Sequence, residues 1–261
     1  APLDVIKKII EDDEHDLKNN IKNGLVNLGI NSLLIPEEYG GLGLDLLFAT
    51  AVSQSLGENI APFSFLSSYV MAPIALINGG NTEQKEKYLK GILENKYKFG
   101  VGFSEFISAR NDFGFIFKDN KINGKSIFVL DADDVSHLLL ADENGVIGVV
   151  DTSDKNIEII KLTTVDKTRS YSEVIFKNAS IDFLGNSITD IETTKKSIDA
   201  GRIILAADSL GASEALIRKA VAYSKERKQF GRAIGSFQAV KHMCAEMASD
   251  LEPCYSLVWH A

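Results

Sequence analysis

The spacing of apolar residues changes twice along this chain, and that change limits the folds open to it. Up to about residue 93, apolar side chains recur at intervals of three, four and seven, as helices burying one face require. Val5, Ile6, Ile9 and Ile10, then Leu17, Ile21, Leu25 and Leu28, predict two helices separated near Asp12-Asp13-Glu14. Pro36 with Gly40, Gly41 and Gly43 predicts a loop over 29–43. Further helices are expected over 45–56, over 64–77, where Pro73 should kink or divide the segment, and over 82–93, with Asn81 or Thr82 as cap. From Tyr97 the pattern becomes alternating or short-run apolar with turn residues between, predicting strands at 98–104, 114–118, 121–130, 137–141, 146–151, 157–162 and 171–177. From Asp190 the helical period returns. The expected class is multidomain α+β: an all-α N-terminal domain over 1–96, a central antiparallel β-barrel or sandwich domain over 97–188, and the start of an incomplete C-terminal helical bundle over 189–261.

The last segment is organised by Tyr223-Ser-Lys-Glu-Arg227-Lys-Gln229-Phe230-Gly231-Arg-Ala-Ile-Gly235-Ser-Phe237-Gln238. Before it, Ile203, Ala207, Leu210, Ile217, Ala220 and Val221 share one helical face; after it, Phe237, Val240, Cys244, Met247, Leu251, Cys254 and Val258 do the same. Gly231 and Gly235 punctuate between them, so two antiparallel helices joined by a turn are predicted. The turn gathers an arginine, glutamines and an aromatic where backbone groups lack helical partners, a place suited to an anion. A merely solvated polar turn is the simpler alternative. Pro253, inside the second helix, should strain it by about 3 kcal/mol.

Composition excludes several classes. A chain of 261 residues, 45% hydrophobic and 25% charged, is ordinary for a globular protein with two or three domains. Its formal net charge of -8 argues against nucleic acid as a partner. Apolar runs fall short of the ~20 residues that span a bilayer, and no leader precedes Asp4, so no membrane insertion and a cytoplasmic location are expected. Cys244 and Cys254 lie about 15 Å apart if both are helical, too far for a disulfide. The four histidines show no ligand spacing, so no metal is expected. The apolar pattern is still running at Trp259-His260-Ala261, without a terminating glycine or proline, and the chain is expected to be cut short there.

The Arg227-x-Gln229-Phe230-Gly231 turn with Gln238 on the next helix resembles the signature of the acyl-CoA dehydrogenases. Matching spacing continues through Met243, Ala245, Met247 and Glu252. Elsewhere, Pro36-Glu37-Glu38-Tyr39-Gly40-Gly41-Leu42-Gly43, the stretch from Asn78-Gly79 through Thr82-Glu83-Gln84-Lys85 to Tyr88-Leu89, and Asp166-Lys-Thr-Arg169 with Val174-Ile-Phe176 are similar to family segments. The resemblance covers the whole chain and implies the same α, β, α order. It further implies an FAD-dependent, oligomeric enzyme that oxidises an acyl-CoA substrate to its trans-2-enoyl form and passes electrons to an electron-transfer flavoprotein or similar acceptor. By position, Arg227, Gln229, Phe230 and Gln238 would contact FAD, held mainly by a neighbouring subunit. Phe103 and Ser104 would lie by the flavin ring, and Asp199 and Arg202 would line the acyl-CoA channel; an exposed ion pair is the alternative for that last pair.

Three departures from the family pattern matter. Phe106 to Asn111 stands where a Pro-Gly-x-Gly-Ser-Asp stretch is usual. Leu130 replaces the hydroxyl residue expected to hydrogen-bond flavin. Gly201 stands where some members carry the carboxylate base directly before the helix arginine. No catalytic base is identified, and the run Val129-Leu130-Asp131-Ala132 followed by Ser136-His137-Leu138-Leu139-Leu140 resembles divergent members built from unlike subunits. A non-catalytic partner subunit of a homo- or hetero-oligomer is therefore the second expectation.

Overall fold

The structure is a computed structural model that describes residues 3–11, 14–108, 114–185 and 190–261. Contacts divide the chain into two compact units, one of Ala1–Ile6, Leu47–Ala61 and Arg202–Ala261, the other of Lys7–Leu46 and Pro62–Gly201.

Helices α1 (Leu3–Glu11), α2 (His15–Asn27), α3 (Leu46–Glu58), α4 (Ala72–Gly79) and α5 (Thr82–Leu93) follow the helical periodicity closely. Helix α5 begins at a reciprocal cap: Asn81 Oδ1 accepts from the Gln84 amide at 2.9 Å, and Gln84 Oε1 accepts from the Asn81 amide at 3.1 Å. The segment expected over 64–77 is divided beside Pro73, as anticipated. Phe65–Met71 forms a π-helical stretch, buried throughout, and α4 starts afresh with Pro73 in its first turn, where a missing amide costs nothing. Ser68 explains the anchoring of that stretch. Its Oγ donates to the Phe99 carbonyl at 2.9 Å and accepts from the Phe99 amide at 3.0 Å, fixing the π turn against the first strand.

The strands are β1 (Phe99–Gly102), β2 (Gly114–Lys118), β3 (Lys121–Leu130), β4 (His137–Ala141), β5 (Ile147–Asp151), β6 (Ile157–Lys161), β7 (Tyr171–Ser180) and β8 (Asp182–Phe183). They form one sheet in the order β6-β7-β3-β1-β4-β5-β8, with β2 also on β3. Every pairing is antiparallel except β1 with β4, which run parallel from Phe99↔His137 to Gly102↔Leu140, so the expected all-antiparallel sheet is corrected to a mixed one. The path does not close among the described residues, which decides between the two expected forms in favour of a sandwich-like sheet. Its core unites Phe115, Ile122, Val129, Leu138, Leu140, Val150, Val174 and Phe176 from five strands. Asn123-Gly124, a turn-favouring pair, lies within β3, beside a register shift in its pairing with β7. Strand β8 has no apolar run of its own; Asp182 is held by Gln84 Nε2 at 2.7 Å and Tyr88 Oη at 2.7 Å, a tertiary signal absent from local sequence.

Helix α6 (Ile191–Glu226) and helix α7 (Gln238–His260) flank the C-terminal turn. In the unit containing residues 202–261, Gly57 and Gly211 permit a close helix crossing. A Cβ on Gly57 would lie 2.0 Å from the Asp208 carbonyl oxygen, and one on Gly211 1.8 Å from that of Gln54. Ser53 Oγ donates to the Ile204 carbonyl at 2.8 Å within the same contact. On α6 the buried stripe runs through Ile204, Ala207 and Leu210, while Ala220 of the expected apolar face is exposed. Helix α7 has no fully buried residue, and Val240, Cys244, Leu251, Cys254 and Val258 share its half-buried face. Tyr255 Oη donates to Glu214 Oε2 at 2.8 Å, tying α7 back along α6 in the antiparallel sense expected. Pro253 lies inside α7, which continues through it from Gln238 to His260.

Candidate functional site

The turn between α6 and α7 is itself a small β-hairpin, with β9 (Lys228–Gln229) paired antiparallel to β10 (Arg232–Ala233). Its two tip residues, Phe230 and Gly231, have φ of 53° and 78°, the left-handed pair that a tight two-residue hairpin demands. Glycine adopts that conformation without strain, whereas phenylalanine does so at a cost of about 1 kcal/mol or more. Phe230 is nevertheless 92% exposed, with only an edge-to-face contact to Phe237 at 6.1 Å. A strained aromatic in water contributes little to stability and much to any ligand that covers it.

The polar residues at this tip are open as well. Arg227, Gln229 and Gln238 are all exposed. The Gln229 amide donates only to the neighbouring Lys228 carbonyl at 2.9 Å, and Gln238 Nε2 lies 3.5 Å from His242 Nε2. The backbone of Arg227 is fixed twice: its amide donates to the Tyr223 carbonyl at 2.9 Å and its carbonyl accepts from Ile234 at 2.8 Å. Arg232 is occupied differently, stacked over the Phe237 ring at 4.0 Å. The hairpin thus presents a guanidinium, two amides and one aromatic face on a rigid backbone, a donor set suited to a pyrophosphate beside a planar ring.

In the other unit, β1 runs into a turn that carries Phe103 and Ser104, both buried. Ser104 Oγ donates to Glu105 Oε2 at 3.1 Å, Ser126 Oγ donates to the same oxygen at 3.1 Å, and the two hydroxyls lie 3.4 Å apart. Burial raises the Glu105 pKa, while a bond from its own backbone and the hydroxyls of Ser126 and Ser104 hold it down. Close by in sequence, a register shift between Ser126 and Val129 turns Phe128 to φ 56° and leaves it 47% exposed. Leu130 pairs with Val101 and is buried, so it brings no hydroxyl to this end of the sheet. Of the stretch Phe106 to Asn111, Phe106 to Ser108 continue the turn and 109–111 lie outside the described residues.

Asp199 and Arg202 sit three residues apart on α6, both exposed. Between them, Gly201 is buried beneath Met71: a Cβ at 201 would meet Met71 Sδ at 2.9 Å. A carboxylate base cannot be accommodated there without displacing that side chain.

Residues 4–96 match the acyl-CoA dehydrogenase N-terminal domain and residues 191–261 the acyl-CoA dehydrogenase C-terminal domain. An acyl-CoA dehydrogenase of Bacillus subtilis (strain 168) is 30% identical over 89% of this chain and 67% of its own. The chain belongs to the acyl-CoA dehydrogenase family. A second relative, the caffeyl-CoA reductase-Etf complex subunit CarC of Acetobacterium woodii, is 26% identical over 100% of this chain and 75% of its own. Among solved structures, PigA with FAD and proline superposes with a TM-score of 0.81 at 20% identity, covering 98% of this chain and 76% of that one, and so shares the fold. Among the described residues no helix is long and apolar enough to cross a membrane.

Sequence reasoning missed one group of charged residues. Lys18 and Lys22 of α2 line a cavity together with Lys161, Lys167 and Arg169 from the strand and loop before β7. The spacing of Lys18 and Lys22 places both on one helical face, but nothing local connects them with residues 161–169.

Proposed function

We propose that this chain holds FAD and moves a hydride and a proton between the flavin and the Cα–Cβ bond of an acyl-CoA. The observation that carries this reading is the hairpin tip, where a strained, exposed Phe230 stands beside Arg227, Gln229 and Gln238. Arg227 donates its fork to the pyrophosphate, the two glutamines add amide bonds, and Phe230 packs against the dinucleotide. Phe103 and Ser104 border the ring, with Glu105 and Ser126 holding the Ser104 hydroxyl in place. Asp199 and Arg202 line the acyl-CoA channel. Bound flavin supplies the hydride chemistry. The α-proton needs a carboxylate positioned at the substrate, which Gly201 does not provide. The same three segments, 1–96, 97–188 and 189–261, are proposed as domains. The electron partner is an electron-transfer flavoprotein or similar acceptor, consistent with CarC, whose name places it in an Etf complex. That relative is named a reductase, so either direction of the reaction fits this family background.

A second reading has specific support. Leu130 lacks the flavin-facing hydroxyl expected at its position, and Met71 occupies the space a base at 201 would need. A subunit that completes the flavin or acyl-CoA site of an unlike partner requires neither. Purifying the protein alone and recording its visible spectrum separates the two: a flavin spectrum with acyl-CoA-dependent bleaching is expected for the enzyme. A stable, colourless protein that turns yellow only with an unlike subunit would replace it with the partner reading.

A further inference from the structure

A cavity of about 410 Å³ opens in the larger unit, between residues of α1 and α2, the segment at Pro62-Phe63-Ser64, the turn after β3 and the loop before β7. Five basic side chains, Lys18, Lys22, Lys161, Lys167 and Arg169, line it against three aspartates, Asp131, Asp133 and Asp134. An excess of cations stands out in a chain of net charge -8.

The aspartates are engaged locally. Asp133 pairs with Lys161 at 3.1 Å and accepts from Ser170; Asp134 pairs with Lys98 at 3.2 Å and more distantly with Lys18 at 3.7 Å. Asp131 accepts from Ser67 at 2.5 Å, and burial pushes its carboxyl up to about 6. Lys22 differs from the other cations in being buried. It is only 8% exposed, lies beside Lys98 and forms no ion pair with a described carboxylate. Burial and then the like charge of Lys98 lower it to about 8, with Asp134 opposing and Lys18 adding to the shift. An uncompensated buried ammonium is costly, and an anion entering the cavity removes that cost. Thr163 and Ser64 bring further hydroxyls to the lining, whereas those of Thr164 and Thr168 already donate to Asp166 at 2.7 and 2.6 Å.

We propose that this cavity binds a phosphoryl dianion, with Lys22 at its floor and Lys167 and Arg169 at its rim. Its residues are other than the hairpin donors assigned to FAD, and the proposal does not depend on that assignment. Inorganic phosphate and the phosphate of a nucleotide share this chemistry, so both are tested.

Titration calorimetry of the whole protein with inorganic phosphate and with ADP, against chloride at equal ionic strength, is the experiment. Saturable binding is expected, weakened about tenfold or more in Lys22→Met and in Lys167→Ala. Lys22→Met removes a buried charge and Lys167 is exposed, so both variants should fold, which circular dichroism checks. Tighter binding of ADP than of phosphate identifies a nucleotide as the source, and equal binding identifies free phosphate. No saturable heat with either ligand, or binding unchanged in both variants, would overturn the proposal.

Discussion

The sheet and the C-terminal hairpin solve opposite problems with the same alphabet. Strand β4 is buried at all five of its positions, and Leu138, Leu139 and Leu140 are wholly inaccessible. Helix α7 has no buried residue, and Met243, Leu257 and Trp259 stand 63%, 71% and 47% exposed. The sheet is a self-contained core, whereas the hairpin spends its most distinctive residues on surface. Stability should therefore reside in the first region and ligand recognition in the second.

Leu138→Ala offers the largest test of that contrast. Emptying a fully packed position should cost about 2–5 kcal/mol of unfolding free energy, read by urea denaturation, while Met243→Ala on α7 should change it by less than about 0.5 kcal/mol. Equal losses at the two sites would break the comparison. Next in size, Arg227→Ala should weaken flavin binding about ten- to a hundredfold, the worth of one charge-assisted bond, with the melting temperature unchanged. A parallel loss of melting temperature with flavin occupancy intact would make Arg227 a structural residue instead.

The third test concerns Lys22. Its folded pKa, near 8, lies below the ordinary lysine value of 10.5, so between those values the unfolded chain holds more proton than the folded one. Stability should rise across that window by about 1–2 kcal/mol, allowing for solvent screening, and Lys22→Met should flatten the rise. Chemical denaturation from pH 7.5 to 10.5 reads it; an unchanged slope in the variant would assign the effect to another group. Smallest, Phe230→Gly should relieve left-handed strain and alter stability by no more than about 1 kcal/mol, in the stabilising direction, while lowering flavin affinity. A destabilised variant would show that Phe230 packs as core rather than waiting for a ligand.

Much of this architecture was legible from residue order because the forces that set it are local. The limits of β2, β3 and β4 coincide with those predicted, since alternation and turn residues act within a few positions. Asn81, one of the two residues expected to cap α5, does cap it, and Arg227, Gln229, Phe230 and Gln238 come together at one turn because sequence already places them within a few residues of each other. The two-residue hairpin inside that turn was less visible, because Phe at a left-handed position hides the usual glycine signal.

Tertiary structure decided the rest. No local pattern sets β1 parallel to β4, because pairing partners are chosen by the packing of whole strands rather than by either strand's own sequence. The π-helical stretch at Phe65–Met71 exists because Ser67 and Ser68 must reach Asp131 and Phe99, residues far along the chain. Gly201 reads in sequence only as a missing carboxylate; its contact with Met71 shows that the space itself has been filled. Lys22, unremarkable in a polar helix, becomes a buried charge only in the folded chain, beside Lys98 and Asp134 from far along the sequence. Sequence thus determined the elements and the exposed turn between α6 and α7, through interactions that decay within a few residues. The cavity, the strand order and the closed position at 201 depend on which distant surfaces exclude water from one another, and that is settled only when the chain is folded.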